Sequence, residues 1–393
     1  MTKKNRWLLP EGIEEILPPH AAQVESLCRS ILDLFNVWGY ELVMPPLIEY
    51  LDSLLTGTGE DLDLQTFKIT DQLSGRSMGL RADMTPQVAR IDAHILKSEF
   101  PTRLCYLGTV VHTRPGGHGG TRAPLQVGAE LHGHAGVESD AEILCLMLKT
   151  LQLTGLNNIH VDLGHVGIYR GLVKDLNLSA EQESMLFDAL QRKAKAELKE
   201  MLAEWSLSSD IAEMILSLND LNGDISVLDE ARHCLAAAGE EVLACIDELE
   251  KIAVLAIRQI KDAPLYFDLA ELRGYHYYTG FTFAAYLPGQ GQGIAFGGRY
   301  DDVGAAFGRA RPATGFSTDV KTIFSLSKQP EKTSSAIFAS YSEVPGLSEA
   351  VQRLREQGEI VIFELPGQTG TAKEMNCDRQ LQLKEGKWQV VSL

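Results

Sequence analysis

Two β-strand patterns joined by a glycine-rich loop constrain the fold of this chain more than any other feature. The stretches RLCYLGTVVHT (residues 103–113) and APLQVGAELHG (residues 123–133) have the length and the apolar content of strands. Between them, RPGGHGGTR (residues 114–122) is too polar for a protein core and has the glycines of a flexible turn. The two strands are therefore predicted to pair in an antiparallel sheet.

Patterns before this hairpin add a helix and an edge segment. Apolar residues recur at helical spacing over residues 19–38, and this predicts a helix. Residues 40–48 are predicted to be extended. Because Pro45 and Pro46 lack backbone donors, this stretch is predicted to lie at a sheet edge or an interface. Residues 80–90 indicate a strand end followed by a helix that starts near Thr85-Pro86.

The chain is also predicted to contain a helical insertion and a small tail. Acidic helical patterns fill residues 172–260, and strand patterns return at residues 265–286 and 293–316. After a linker, SKQPEKTSS, the tail shows a strand, a helix, a strand and a hairpin turning near Glu385-Gly386. The predicted parts are a core in two pieces, residues 1–170 and 262–326, an insertion, residues 171–261, and an α/β domain, residues 335–393.

Composition limits the classes of function. The 36 Lys and Arg against 53 Asp and Glu give a net charge of −17, which argues against a broad nucleic-acid surface. The six cysteines are scattered without a CxxC pair, a pattern typical of reduced thiols in a cytoplasmic protein. No apolar run reaches the roughly 20 residues that a membrane-spanning helix needs. A cytoplasmic protein without a membrane segment is predicted.

Four stretches identify a family resemblance. GYELVMPPLIEY (residues 39–50), YLGTVVHTRPGGHGGTRAPLQVGAELHG (residues 106–133) and GGRYDD with RPATGFS (within residues 297–317) resemble, in order, the three motifs of class II aminoacyl-tRNA synthetases. ELRGYHYYTGFTF (residues 271–283) is similar to the special signature of histidyl-tRNA synthetases. The resemblance covers about residues 8–325. It implies an α+β fold, an antiparallel sheet flanked by helices, and a homodimer formed through the first motif around Pro46.

The resemblance also implies a pocket for free histidine. Eight positions match residues that bind histidine in the synthetases: Asp83, Thr85, Gln126, Glu130, Arg273, Tyr277, Tyr278 and Tyr300. The first three match the ammonium contacts, Gln126 lying near the carboxylate as well. Glu130 and the tyrosines match the residues around the imidazole. Arg273 matches the arginine that holds the carboxylate, for which a planar guanidinium is well suited.

Less specific roles remain open for several of these residues. Asp83 and Thr85 are common helix-capping residue types. Glu130 is also compatible with a solvated strand position, and the Tyr277-Tyr278 pair with one core and one surface aromatic. Two departures bear on the site: Asp83 is one methylene shorter than the usual glutamate, and His276 replaces an acid before the tyrosine pair.

Two positions that match ATP-binding arginines of the synthetases do not carry arginine in this chain. His112 stands where the second motif has its arginine, and Thr322, next to Lys321, stands where the third motif has its own. Loss of one preorganised charge stabiliser costs about 10²- to 10³-fold in rate, so a chain lacking both is not expected to charge tRNA usefully. Arg122 is still present, and rescue by Arg114 and Lys321 is the remaining alternative.

A retained histidine pocket, a lost ATP site and a short acidic tail resemble the regulatory subunits of ATP phosphoribosyltransferase. That resemblance implies a non-catalytic chain with no cofactor, bound to a short-form catalytic subunit and controlled by L-histidine. It implies no tRNA partner. A histidyl-tRNA synthetase with altered ATP contacts, or another synthetase-like paralogue, is the alternative. A metal site is not expected, since His112, His118, His132 and His134 have no cysteine or carboxylate at ligand spacing.

Overall fold

The computed structural model describes residues 7–56, 60–116, 120–275, 277–327 and 335–393. The chain divides into two compact units, Met1–Lys328 and Gln329–Leu393. Most of the predicted linker SKQPEKTSS, together with His118 and His276, lies outside the described residues.

The first unit is built on a large sheet. Its strands in chain order are β1 Glu41–Leu42, β2 Ile48–Tyr50, β3 Phe67–Thr70, β4 Ser77–Leu80, β5 Thr102–Thr109, β6 Leu125–His132, β7 His160–His165, β8 Asn222–Gly223, β9 Leu265–Asp268, β10 Phe281–Tyr286, β11 Ala295–Arg299 and β12 Ala313–Asp319. Nine of these described strands form one sheet in the order β1-β5-β6-β12-β11-β10-β7-β9-β8. The predicted hairpin is confirmed, because β5 and β6 pair antiparallel with Tyr106 opposite Gly128.

The remaining strand pairs explain the edge of this sheet. β1 pairs parallel with β5 and is the first strand of the order, so the stretch with Pro45 and Pro46 begins at a sheet edge, as predicted. After the two prolines the chain leaves the large sheet, and β2 belongs to a separate three-stranded sheet with the order β2-β4-β3. A backbone without amide donors suits this change of sheet.

Helices cover this unit. In chain order they are α1 His20–Val37, α2 Leu51–Leu54, α3 Glu60–Gln65, α4 Thr85–Arg90, α5 Val137–Leu153, α6 Val166–Val173, α7 Ala180–Gln191, α8 Lys195–Glu204, α9 Ser209–Ser217, α10 Val227–Cys234, α11 Glu240–Gln259 and α12 Val320–Leu326. The predicted first helix is confirmed: α1 buries Val24, Leu27 and Ile31 on one face. α4 continues into a π-helical turn, Ile91–Leu96.

Five helices, α7 to α11, lie within the region predicted as an insertion, residues 171–261, and the last residues of α6 run into its start. These helices explain the acidic helical patterns of the region. α7 begins with a reciprocal capping box between Ser179 and Gln182. α11 packs against both α5 and α6, and its buried residues belong to the same core as the large sheet. The precise limits of an insertion at residues 171 and 261 remain a prediction.

The second unit is a small α/β structure. Its elements are β13 Ala336–Ala339, α13 Leu347–Glu356, β14 Ile360–Phe363, β15 Arg379–Lys384 and β16 Lys387–Ser392, with strand order β14-β13-β15-β16. The predicted hairpin is confirmed between β15 and β16, where Glu385 and Gly386 both adopt positive φ, 50° and 77°. α13 packs Leu347 and Val351 onto the sheet.

Within the described ranges, no helix combines the length and the apolarity needed to cross a bilayer. All six cysteines lie in these ranges and all are free thiols.

Candidate ligand pocket

A cavity of about 560 Å³ lies over the middle strands of the large sheet. Seven of the eight predicted site residues line it: Asp83, Thr85, Glu130, Arg273, Tyr277, Tyr278 and Tyr300. Asp83 and Thr85 come from the start of α4, and Glu130 from β6. Tyr300 directly follows β11, and the other three come from the segment between β9 and β10. The fold thus brings residues almost 220 positions apart to one site.

Gln126 is the predicted site residue that does not line the cavity. Its Nε2 donates to Asp83 Oδ1 at 2.9 Å, and its Oε1 accepts from the backbone N–H of Met84 at 3.0 Å. Asp83 Oδ1 also accepts from the backbone N–H of Thr85, at 3.0 Å. Asp83 therefore orders the backbone just before α4. The N-cap residue of α4 is Met84, which makes no side-chain cap, so the capping interpretation of Asp83 and Thr85 is wrong. The described hydrogen bonds of Asp83 use only Oδ1, which leaves Oδ2 for a ligand.

Glu130 is the buried acid of the cavity, with 1% of its surface exposed. Oε1 accepts from the hydroxyl of Tyr106 at 2.9 Å, and Oε2 accepts from the hydroxyl of Tyr300. Thr85 Oγ1 lies 3.0 Å from the Tyr106 hydroxyl and continues the chain of hydrogen bonds. Burial raises the pKa of Glu130 to about 8, although both tyrosine hydroxyls oppose the shift. The solvated-strand interpretation of this residue is wrong.

Three aromatic rings form the wall next to this acid. Tyr277 stacks on Tyr300 with centroids 5.2 Å apart, and Tyr278 meets Tyr277 edge-on at the same separation. Both residues of the tyrosine pair line the cavity, so the interpretation as one core and one surface aromatic is wrong.

Two buried hydroxyls of the cavity wall have no hydrogen-bond partner among the described residues. They belong to Tyr277 and to Thr282 on β10. A buried hydroxyl without a partner is costly, and both of these belong to residues that line the cavity.

Arg273 supplies the positive charge of the site. It is exposed, and its guanidinium lies 4.8 Å from the ring centre of Phe296 and 5.9 Å from that of Tyr286. Its backbone N–H donates to Glu271 Oε1 at 2.8 Å. A guanidinium resting on aromatic faces keeps its N–H groups available for a carboxylate.

Glycines of the strands make room for the acid and the tyrosines. A Cβ at Gly315, on β12, would overlap Oε2 of Glu130, and one at Gly128 would overlap the hydroxyl of Tyr106. A Cβ at Gly298 would lie 2.9 Å from the ring of Tyr278. These glycines and Tyr106 were not predicted as site residues. The sequence did carry a signal for them, because all lie within the motif stretches. Tyr106 also follows Leu104 at the two-residue spacing that places both side chains on one face of β5.

On the ATP side, the retained arginine is occupied by the backbone. Arg122 Nε donates to the carbonyl of His112 at 3.0 Å, and one terminal nitrogen donates to the carbonyl of Glu11 at 3.1 Å. His112 Nε2 lies 2.9 Å from the carbonyl oxygen of Ala82. Both side chains therefore hold the motif-2 strands to neighbouring segments.

The residues at the former third-motif position have equally local roles. Lys321 Nζ lies 3.6 Å from Glu14 Oε1. Thr322 Oγ1 donates to Asp319 Oδ2 at 2.6 Å, and Asp319 caps the start of α12. The rescue by Lys321 that the sequence left open finds no support in this geometry, since the ammonium is already paired. Arg114 is exposed.

Of the four histidines considered as metal ligands, His112, His132 and His134 lie within the described ranges. Among the residues that the structure describes, no three His, Cys, Asp or Glu side chains converge on one point. His132 is buried against the ring of Tyr300, and burial lowers its pKa to about 4. His134 Nδ1 contacts Ser139 Oγ at 3.1 Å.

Comparison with known proteins divides the chain as the fold does. The family model described as histidyl-tRNA synthetase matches residues 12–323. A second family model, described as the ATP phosphoribosyltransferase subunit HisZ C-terminal domain, matches residues 334–391.

Individual relatives agree with these matches. An ATP phosphoribosyltransferase regulatory subunit of Thioalkalivibrio sulfidiphilus is 58% identical over the full length of both chains. A solved structure from Bacillus halodurans C, described as an ATP phosphoribosyltransferase regulatory subunit/histidyl-tRNA synthetase, has a TM-score of 0.85 and 28% identity, covering 95% of this chain and 97% of that chain.

A likeness in fold extends to the synthetases themselves. Histidyl-tRNA synthetase from Nostoc sp. PCC 7120 superposes with a TM-score of 0.80 at 18% identity, over 98% of this chain and 97% of that chain. The predicted class II synthetase-like fold is therefore confirmed. By its full-length identity and its two matched family models, the chain belongs to the family of ATP phosphoribosyltransferase regulatory subunits, which share the histidyl-tRNA synthetase fold.

Proposed function

We propose that the cavity binds free L-histidine and that the chain reports this binding to a catalytic ATP phosphoribosyltransferase subunit. The observation that carries the proposal is the arrangement of polar groups around one cavity. Asp83 and Thr85 offer acceptors for an ammonium at this cavity, and Arg273 offers a cation for a carboxylate. Glu130, deep between tyrosines, suits an imidazole N–H.

The chain is the regulatory and non-catalytic component of ATP phosphoribosyltransferase, in line with its family. A regulatory chain acts through linkage: histidine shifts the equilibrium between two arrangements, and the catalytic partner responds to the arrangement. Such coupling between sites is typically about 1–3 kcal/mol. The positions of the two motif arginines hold His112 and Thr322, which favours regulation over aminoacylation.

Replacing Arg273 by alanine should weaken the binding of histidine about tenfold. A charge-assisted hydrogen bond to a carboxylate contributes about 1.5–3 kcal/mol, and the exposure of this arginine places the effect at the lower end. Histidinol lacks the carboxylate, so its affinity should be the same for both chains. Isothermal titration calorimetry measures the two dissociation constants.

The control is Arg258→Ala, which removes an exposed arginine near the end of α11. This variant should bind histidine as the parent does. Equal losses of histidine and histidinol affinity in Arg273→Ala would contradict the assigned role, because histidinol offers no carboxylate to lose. ATP binding together with histidine-dependent pyrophosphate exchange would instead support the synthetase alternative.

The first-motif segment supports a homodimer. Four large apolar side chains on this segment are exposed: Leu42, Met44, Leu47 and Ile48. Met44, at the sheet edge, is 82% exposed. A contiguous apolar stretch beside an edge strand is typical of an interface, and in a two-fold dimer the same segment meets its copy.

Met44→Asp should convert a dimeric chain into a monomer, because two carboxylates would be brought together within an apolar interface. Sedimentation velocity of the isolated chain measures the change. Met185→Asp, which changes an exposed methionine on α7, is the matched control and should leave the dimer intact. A parent chain that sediments as a monomer would contradict this interface.

The same proposal places the protein in the cytoplasm, since histidine biosynthesis supplies both its partner and its effector. tRNA is not expected to be a partner. The second unit supports this view because the family model that it matches is that of a phosphoribosyltransferase component and not that of a tRNA-binding domain.

A further inference from the structure

The segment that carries the pocket tyrosines contacts both the ligand cavity and the helices α6 and α7. Tyr277 and Tyr278 line the ligand cavity. Tyr275, in the same segment, is 8% exposed and points between α6 and α7. Its ring lies 5.2 Å from that of Tyr169 and 5.6 Å from that of Phe187. One short stretch of backbone therefore joins the pocket wall to the helices.

A hydrogen bond connects Tyr275 to α7. Its hydroxyl donates to Glu183 Oε1 at 2.9 Å. Phe187, one turn further along α7, also lines the ligand cavity. α7 consequently touches the pocket twice, directly through Phe187 and indirectly through Tyr275.

Arg170 on α6 holds the backbone of this segment. A single terminal nitrogen of its guanidinium donates to the carbonyl of Tyr275 at 2.6 Å and to the carbonyl of Tyr278 at 2.8 Å. The guanidinium also lies 4.9 Å from the centre of the Tyr275 ring. These contacts bracket the tyrosine pair, so the position of the pocket wall depends on α6.

α6 itself is firmly placed. His165 caps its start through Nδ1, which accepts from the N–H of Gly167 at 3.1 Å. The other ring nitrogen lies 3.2 Å from Glu248 on α11. α6 also packs along α11. Arg170 is thus a rigid attachment, and not a mobile surface arginine.

A second cavity of about 550 Å³ lies beside this attachment. Arg170, Lys174, Glu183 and Tyr275 are among the residues that line it. Tyr275 borders both cavities. The close packing of the Tyr275 ring against Tyr169 and Phe187 transmits a displacement of Tyr275 to the helices. The second cavity leaves Tyr275 space to move when Tyr277 and Tyr278 close on a ligand.

We propose that Arg170 is a positioning residue for the ligand pocket and that α7 registers its occupancy through Tyr275. The inference deepens the proposed histidine site and rests on it. When Tyr277 and Tyr278 close around a ligand, they displace the backbone to which Arg170 is hydrogen-bonded. α7 then follows, because Tyr275 and Glu183 link that backbone to α7.

The first test compares Arg170→Ala, Arg170→Lys and Lys174→Ala by calorimetric titration with L-histidine. Arg170→Ala should bind roughly tenfold more weakly, since hydrogen bonds from a charged donor are lost. Arg170→Lys should recover only part of the affinity, because an ammonium lacks the planar face that stacks on Tyr275. Lys174→Ala is the matched control: Lys174 lies one turn after Arg170, directly past the end of α6, and pairs with Glu241 at the surface, so the affinity of this variant should not change.

Added guanidinium ion at low millimolar concentration separates positioning from general destabilisation. It should restore part of the affinity in Arg170→Ala, and it should leave the parent unchanged. An Arg170→Ala chain that binds histidine as tightly as the parent would overturn the inference. If the parent itself fails to bind histidine, the proposed function is what fails.

Hydrogen exchange tests the second half of the proposal and does not depend on the Arg170 variants folding. In the parent, histidine should slow amide exchange both in residues 272–278 and in α7. Tyr275→Phe keeps the ring but removes the hydrogen bond to Glu183, so the protection of α7 should fall while that of the segment persists. Unchanged exchange of α7 in the histidine-bound parent would overturn the coupling.

Discussion

Glu130→Gln should weaken histidine binding about 100-fold at pH 8, the largest loss expected from an isosteric change in this protein. The buried carboxylate accepts hydrogen bonds from Tyr106 and Tyr300 and is the acid available to an imidazole N–H. An amide keeps the shape but loses the charge, and a hydrogen bond to a charged group contributes about 1.5–3 kcal/mol.

The effect should depend on pH in a defined direction. Burial raises the pKa of Glu130 to about 8 in the free chain, so the acid is protonated at pH 6. An imidazole that donates to the carboxylate favours the ionised form, and binding below pH 8 therefore releases a proton. Histidine affinity of the parent should rise from pH 6 to pH 8 and then level off. Because the imidazole of the ligand itself titrates at about pH 6.5, the contribution of Glu130 is the ratio of parent affinity to Glu130→Gln affinity, and this ratio should rise from pH 6 to pH 8.

Stability gives the control for this prediction. A raised pKa means that the folded chain holds a proton that the unfolded chain has already lost between about pH 4.5 and 8, so stability falls as pH rises through that range. Glu130→Gln should remove this loss and melt no lower than the parent at pH 8. A variant with the same fractional loss of affinity at pH 6 and pH 8 would contradict the assigned proton.

Gly315→Ala should abolish detectable histidine binding by moving Glu130. The added methyl group would overlap Oε2 of this acid, which lies opposite Gly315 where β12 pairs with β6. Overpacking in a close-packed site costs about 1–3 kcal/mol, so the free energy of unfolding should fall as well. Calorimetry and denaturant titration measure the two effects.

A second substitution tests the cause. Combining Gly315→Ala with Glu130→Ala removes the overlap, so the double variant should recover stability relative to Gly315→Ala without recovering binding. Gly291→Ala, at a loop glycine with no described atom within 4 Å of the added carbon, should change neither property. If Gly315→Ala binds histidine normally, Glu130 is not the acid that the ligand needs.

The pairing of β5 with β6 beside this site was accessible from sequence for a physical reason. The glycine-rich loop joins two patterns of clear strand length, and a short polar connection leaves little alternative to antiparallel pairing. The C-terminal hairpin was predicted from Glu385-Gly386 by the same logic. In contrast, β8 has two residues, Asn222 and Gly223, and its place at the far edge comes entirely from tertiary pairing with β9.

Site residues were predictable where their own side chains line the cavity. Asp83 and Glu130 carry groups that suit parts of histidine, and both line the cavity. Tyr106 and Gly315 were missed because they act on another residue, one by holding Glu130 and the other by leaving space for it. Gln126 was predicted as a site residue, but its amide contacts Asp83 and does not line the cavity.

The contacts of Arg170 were beyond sequence reasoning for a different reason. Its two acceptors are backbone carbonyls more than a hundred positions away, and carbonyls leave no trace in residue identity. Only the fold places α6 against the segment that carries Tyr278.

The proposed histidine site is tested most directly by the ATP phosphoribosyltransferase activity of the complex reconstituted from this chain and its catalytic partner, titrated with L-histidine at pH 8. With the parent chain, histidine should inhibit. With Glu130→Gln, the half-inhibitory concentration should rise about 100-fold, in step with the lost binding energy. Identical inhibition curves for the two complexes would contradict the account, because histidine would then act outside this pocket.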